Sequence, residues 1–268
     1  MRRLLLTLPV LLTLMAPAGA VAKPVLGIAD NKALTFSDPR FLDLRVQYAR
    51  INIPWDVLAD ANTLPAVDGW MRGAKLAGVK PLVSFDRSRV NKRANPSPAQ
   101  LAAALIAWRA KWPGQISDVS AWNEPNINGK TPQVVAKWWL ALRKACRSCT
   151  VLPGELVDRT NAPKWAKGFI KAAKTTPAIW ALHAYIDTNN FTSKNTKAFL
   201  KVAKGKLWLT ETGGVVRRTA RAGSAKFAGA GVAHQSEATD YLLKTIAKNP
   251  RIQRIYLYSW SSVGDLNW

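Results

Sequence analysis

Short apolar runs bounded by turn residues alternate along the chain with amphipathic stretches of helical period. Eight of these runs predict strands, at 25–29, 47–53, 80–85, 118–122, 150–153, 179–185, 206–210 and 254–260. Between them, 65–77 gathers Val67, Trp70, Met71 and Ala74 on one face, and 98–111 gathers Leu101, Leu105 and Trp108. Both therefore read as helices packed on a core. Strand and helix in strict alternation predict a parallel sheet wrapped by helices. Right-handed crossovers close eight such strands most simply as an α/β (β/α)8 TIM barrel, a single domain over residues 23–268. Only eight residues, 261–268, follow the last strand, where a full barrel would end on another helix; the expectation is either a truncated chain or an absent final helix that leaves an apolar seam beside the first strand uncovered.

Residues 1–22 break the pattern. Arg2 and Arg3 open a charged start, Leu4 to Met15 form an apolar core, and Ala18, Gly19 and Ala20 supply a small-residue cleavage site. This predicts a secretory signal peptide, cut after Ala20 or Ala22, and hence a secreted or cell-envelope-associated protein. Its apolar run is too short to span a bilayer, and no later segment is apolar enough, so no transmembrane segment is expected after the signal. Oligomeric state is left open.

Charge narrows the partners. The chain carries 39 Lys and Arg against 16 Asp and Glu, a net charge of +23, which falls to +21 once Arg2 and Arg3 are removed. Nucleic acid, acidic glycans or an anionic envelope would all be attracted. Lys164, Lys167, Lys171 and Lys174 recur at helical spacing and read as a solvated face, as do Lys197, Lys201 and Lys204. Arg87, Arg89, Lys92 and Arg93, and likewise Arg217, Arg218, Arg221 and Lys226, each follow a strand and would rim one mouth of the barrel. Such a rim suits an acidic glycan. No recognition motif for DNA or RNA accompanies it. The only cysteines, Cys146 and Cys149, lack the further ligands a structural zinc needs, and they close a helix rather than open one as a redox pair would. In an exported chain they predict a local disulfide. No metal site or cofactor is expected.

The candidate chemistry lies at strand ends. In Ala121, Trp122, Asn123, Glu124, Pro125, Asn126, the proline cannot continue a buried ladder, which leaves Glu124 at the carboxyl end of the fourth strand. A second glutamate, Glu211, follows the seventh strand before Gly213 and Gly214. Catalytic residues of such barrels sit at this face, and two carboxylates placed across it suit glycosidic bond cleavage. Glu155 and Asp187 also follow strands and read as residues supporting the site or lining a subsite. Trp55, Trp122 and Trp260 lie near strand ends, where an indole face can stack on sugar, whereas Trp70, Trp108, Trp138 and Trp165 read as helix-to-barrel packing.

These motifs, from the second strand to the eighth, resemble clan A of the glycoside hydrolases, retaining (β/α)8 enzymes. The resemblance implies that Glu124, preceded by Asn123, is the acid/base and that Glu211 is the nucleophile. It further implies that Arg50, in Tyr48, Ala49, Arg50, Ile51, Asn52, stands near the nucleophile as in family 5. His183 and Tyr185 are similar to that family's sixth-strand pair, and Trp260 to the eighth-strand platform under the sugar. Family 5 enzymes often carry a histidine at the end of strand three, where this chain has Ser84, Phe85 and Asp86, so the likeness is to the clan and not to one family. The expected function is a secreted retaining glycosidase acting on an oligo- or polysaccharide. The alternative is a barrel without turnover that binds glycans or anionic wall polymers.

Overall fold

The computed structural model describes residues 23–91, 93–217 and 226–260. The expected signal peptide, Lys92, Arg218, Arg221 and the tail 261–268 lie outside the described residues.

All pairings in the sheet are parallel. The strands are β1 (Val25–Ala29), β2 (Tyr48–Pro54), β3 (Lys80–Asp86), β4 (Asp118–Ser120), β5 (Thr150–Leu152), β6 (Glu155–Val157), β7 (Ile179–His183), β8 (Lys206–Thr212) and β9 (Ile252–Tyr258). The helices are α1 (Pro39–Asp43), α2 (Leu64–Leu76), α3 (Pro98–Lys111), α4 (Pro132–Ala145), α5 (Ala162–Ala173), α6 (Tyr185–Asn189), α7 (Lys194–Val202) and α8 (Val232–Lys244). The sheet runs in the order β5-β4-β3-β2-β1-β9-β8-β7-β6.

The two ends of that order are consecutive in the chain. Pro153 has no N–H to continue the ladder and Gly154 takes φ +121°, so β5 stops pairing with β4 and β6 starts pairing with β7. A parallel bridge between Asn123 and Glu155 spans the remaining gap. The structure thus has nine strands in eight barrel positions, and the fifth expected strand is bent into two. This bend carries Glu155 into the barrel.

Two of the helices are capped by side chains at their starts. Ser97 and Gln100 form a reciprocal capping box at the start of α3, and Thr131 accepts from the N–H of Val134 at the start of α4. A disulfide joins Cys146, just past α4, to Cys149. Its short loop contributes about 2 kcal/mol by chain entropy. Trp70, Trp108 and Trp138 are buried between helices and barrel, with Trp180 beside them. Trp122 belongs with them: it is buried and stacked on Trp138 at 4.5 Å, so its face is closed to a sugar. A smaller cluster, Ala29, Leu82, Leu152, Ala181, Trp208 and Tyr256, fills the barrel itself. Below it the Arg254 guanidinium lies between the rings of Tyr48 and Trp208 and pairs with Asp118, closing the N-terminal end. Among the described residues no helix is long and apolar enough to cross a membrane.

Candidate active site

Register decides which side chains meet inside the mouth. Ala29 and Leu82 face the interior, and Arg50 sits level with both, so Arg50 points inward too. Ala181 and Trp208 are interior neighbours on β7 and β8, which turns their pairing partner Glu155, and His183 two residues on, the same way. Glu211 breaks the rule. Counting by twos from Trp208 would place it with Leu207 and Leu209 against the helices. An irregularity between Leu182 and His183 skips Thr210, so His183 pairs with Glu211. That bulge re-aims the carboxylate into the mouth.

On the opposite wall, Asn123 donates its backbone N–H to Phe85 O, and Glu124 takes the left-handed region at φ +48°. For a residue other than glycine this conformation is costly, of order 1–3 kcal/mol, and it is held by Ile127 and Asn128, whose N–H groups both donate to Glu124 O. The strained turn lifts Glu124 from the strand toward the cleft.

The side chains converge in one network. The Arg50 guanidinium donates from Nε and Nη2 to Glu155 at 2.8 and 2.6 Å, from Nη1 to Glu211 at 2.6 Å, and from Nη2 to Asn123 Oδ1 at 2.8 Å. The Tyr185 hydroxyl donates to the other Glu211 oxygen at 3.1 Å. His183 Nδ1 lies 3.0 Å from Glu124 Oε1. Its Nε2 is 3.8 Å from Glu155 Oε2, too long for a hydrogen bond but close enough for charge to act. Ser84 Oγ donates to the same Glu155 oxygen at 2.6 Å. Exposure divides the acids: Glu124 and Glu211 keep 23% and 13% of their side chains open to solvent, while Glu155 and His183 keep none. Only the first two can touch a substrate.

The electrostatics follow from burial opposed by pairing. Burial disfavours charge on Arg50, but Glu155 and Glu211 reverse the effect and raise its pKa. Burial likewise opposes ionisation of Glu155, yet the Arg50 charge and hydrogen bonds, with His183 behind them, hold its carboxyl well below the usual range. His183 is pulled down by burial and pushed up more strongly by the Glu211 charge and by Glu124 and Glu155, reaching about 9. Burial and the Glu211 charge raise Tyr185 well above its ordinary value, so it remains a hydrogen-bond donor.

Ligand atoms of Glu124, His183 and Glu211 all lie within 4.8 Å of one another. A cation in that space would meet the Arg50 guanidinium and an imidazolium, so the trio reads as acid–base machinery rather than as a ligand set.

Arg50, Asn123, Glu124, His183, Tyr185 and Glu211 thus meet in one cluster, the two glutamates from strand ends and Arg50 from within β2. Trp260 is held differently: its backbone N–H donates to Asp30 and its indole N–H to Asp38, both at 2.9 Å, and its ring stands edge-on to Phe41. Asp187 serves the fold, its carboxylate accepting from the N–H groups of Asn195 and Thr196 at the start of α7. Glu155, read from its sequence position as supporting the site or lining a subsite, supports it from beneath through Arg50. Tyr258 was not singled out by the sequence, although it stands level with the interior residue Ala29.

A parallel barrel with two facing strand-end glutamates defines the clan A class of glycoside hydrolases. The chain belongs to the glycosyl hydrolase catalytic core family, whose model matches residues 110–266. Among curated protein sequences none matches it. Solved structures share the fold at low identity. A glucosidase from Croceicoccus marinus superposes with a TM-score of 0.61 at 14% identity, covering 94% of this chain and 63% of that one, so the chain spans under two thirds of that enzyme's length. A GH128 (subgroup II) endo-β-1,3-glucanase from Sorangium cellulosum gives 0.58 at 17% identity, over 89% of this chain and 88% of the other. A GH128 (subgroup I) endo-β-1,3-glucanase from Amycolatopsis mediterranei, in complex with laminaritriose, gives 0.54 at 15% identity, over 91% and 90%.

Proposed function

We propose that the protein is an exported retaining glycosidase in which Glu211 is the nucleophile and Glu124 the acid/base. The observation that carries this is the pair of partly exposed carboxylates, one oxygen of each lying within 4.8 Å of the other. Retaining enzymes hold their two carboxyl groups about 5 to 5.5 Å apart, whereas inverting ones need about 6.5 to 9.5 Å for an intervening water.

In the first step a Glu211 oxygen attacks the anomeric carbon, the glycosidic C–O bond breaks, and the leaving oxygen takes the proton from Glu124. In the second, water attacks the same carbon, Glu124 takes its proton, and the bond to Glu211 breaks. Each Glu211 oxygen already accepts one hydrogen bond, from Arg50 or from Tyr185, which fixes the carboxylate while leaving a lone pair for attack. An Nδ1–H of His183 on Glu124 Oε1 leaves the acidic proton to Oε2. Arg50 has donors only, so Asn123 must turn its oxygen to Arg50, and its NH2 is left for the sugar 2-hydroxyl. That contact strengthens as positive charge develops on the ring.

The excess of cations supports an acidic glycan as substrate, and the leader-like residues 1–22 support export. A screen of aryl glycosides and polysaccharides, including β-1,3-glucan and uronate-containing polymers, tests the reading. Glu211→Ala should abolish sugar release. Glu124→Ala should lower it roughly 100- to 10,000-fold on substrates with poor leaving groups, and much less on activated aryl glycosides. Undiminished release by Glu211→Ala would overturn the nucleophile assignment; binding of polysaccharide with no release by the full chain would favour a glycan-binding barrel.

A further inference from the structure

Glu155 lies beneath the reacting pair and touches neither member. It is wholly buried, with both oxygens engaged by Arg50 and one also by Ser84. A buried carboxylate is costly unless its partners fully satisfy it, so a chain that keeps one under its active site needs a reason. Two arguments supply the reason.

The first is directional. A guanidinium can grip one carboxylate with two parallel bonds. Here the edge formed by Nε and Nη2 is gripped by Glu155, and only Nη1 reaches Glu211. Glu211 is thereby steadied by one bond from Arg50 instead of being clamped as a passive ion pair. The second is charge balance. Arg50 and His183 are both wholly buried, and two cations under one carboxylate would leave the cluster positive. Glu155 makes the set neutral when Glu124 carries its proton. It stays neutral in the glycosyl-enzyme, where Glu211 is esterified and Glu124 has become the anion. His183 sits between the two, with Nδ1 on Glu124 and Nε2 facing Glu155 without a hydrogen-bond partner among the described residues.

We propose that Glu155 is a positioning residue of this site, orienting Arg50 toward Glu211 and Asn123 and supplying the fixed negative charge against which His183 serves both glutamates in turn. This rests on the glycosidase reading. The groups facing His183 are Arg50 from β2, Glu124 after β4, Glu155 from β6, Glu211 from β8, and Tyr185 at the start of α6.

The test separates the two claims, because the chain has only two histidines and one can be followed without substrate. Imidazole signals are titrated by NMR in wild type and in Glu155→Gln, with His234→Gln used to assign them. The wild-type His183 midpoint should lie near 9, and in Glu155→Gln it should drop by about one pH unit or more, a tenfold change in proton affinity. On a cleaved glycoside, kcat should fall about tenfold or more with KM within about twofold, the size of one misdirected charge-assisted hydrogen bond. The alkaline limb of the pH profile should move with the NMR midpoint. Should Glu155→Gln fail to fold, Ser84→Ala, which removes one bond to the same carboxylate but leaves its charge, should lower kcat by a smaller amount while the His183 midpoint holds or rises slightly. A wild-type midpoint at or below 6.5, or variants that leave midpoint and kcat unchanged, overturns the proposal. If no glycoside is cleaved by wild type, the glycosidase reading falls and so does the claim that Glu155 serves catalysis, while the midpoint still decides its charge role.

Discussion

A fully buried guanidinium is tolerable at Arg50 only because each of its nitrogens donates to a side-chain oxygen of Glu155, Glu211 or Asn123. The interaction of Arg50 with Glu155 is therefore a mutual dependence more than a gain: each ion would be expensive alone. Arg50→Met should lower stability by about 3 to 5 kcal/mol, because it strands a buried carboxylate. Adding Glu155→Gln to that variant should restore part of the loss, since the stranded charge goes too. Urea unfolding of the single and double variants measures this, and purely additive losses would show that the pair is not coupled. Activity should be lost in both, as neither restores the donor to Glu211.

At the scale of elements, the site depends on two departures from regular strand geometry. One is the break at Pro153 and Gly154, which lets a single barrel position pair with β4 below and with β7 above. Gly154 takes φ +121°, and a Cβ there would lie 3.2 Å from Pro125 Cγ and 3.4 Å from Trp122 O. Gly154→Ala should cost roughly 1 to 3 kcal/mol from the backbone conformation alone. It should also lower kcat, because the strain falls between Glu155 and the turn that carries Glu124; thermal melts and initial rates check both, and a wild-type melting point would refute the argument. The other departure is the bulge that skips Thr210. Neither was legible in the sequence. Apolar alternation through Leu207, Trp208 and Leu209 placed β8 correctly, and Pro125 marked the end of the fourth strand, so Glu124 and Glu211 were found. Period alone, however, would have turned Glu211 outward, and a one-residue bulge leaves no composition signal. Glu155 was legible as a supporting or subsite residue but not as the partner of Arg50 and Ser84, which are 105 and 71 residues away. Asp187 had the same local appearance and proved to be a cap for α7. Trp122 looked like a sugar platform until Trp138 was found stacked on it.

Across the whole molecule, stability should fall as pH rises through a range where most soluble proteins change little. Burial raises Asp158 from 3.8 to about 7, so the unfolded chain releases that proton first and stability declines between those values. His183 is raised from 6.5 to about 9, chiefly by its carboxylate neighbours, which outweigh burial. Its contribution is fully present below 6.5 and is lost as pH climbs through about 9. Glu155 works at the other end: its depressed pKa stabilises above the ordinary carboxylate range and is lost as acid protonates it. The large net charge of +23 does not offset the alkaline decline, because lysine and arginine keep their protons until about pH 10 and the repulsion between them is nearly constant over this window. Melting temperature should therefore peak at roughly pH 4 to 5, where the acid limb of Glu155 meets the decline from Asp158, and fall steadily toward 9. His183→Gln should flatten the portion between 6.5 and 9 and leave the acid limb in place. Because His183 and its partners are shielded from solvent, the wild-type slope should survive added salt, whereas a decline driven by surface charge would weaken as the Debye length shortens. A melting profile that is level or rising from 6.5 to 9, or one that salt abolishes, would mean that His183 does not hold its proton in the folded protein.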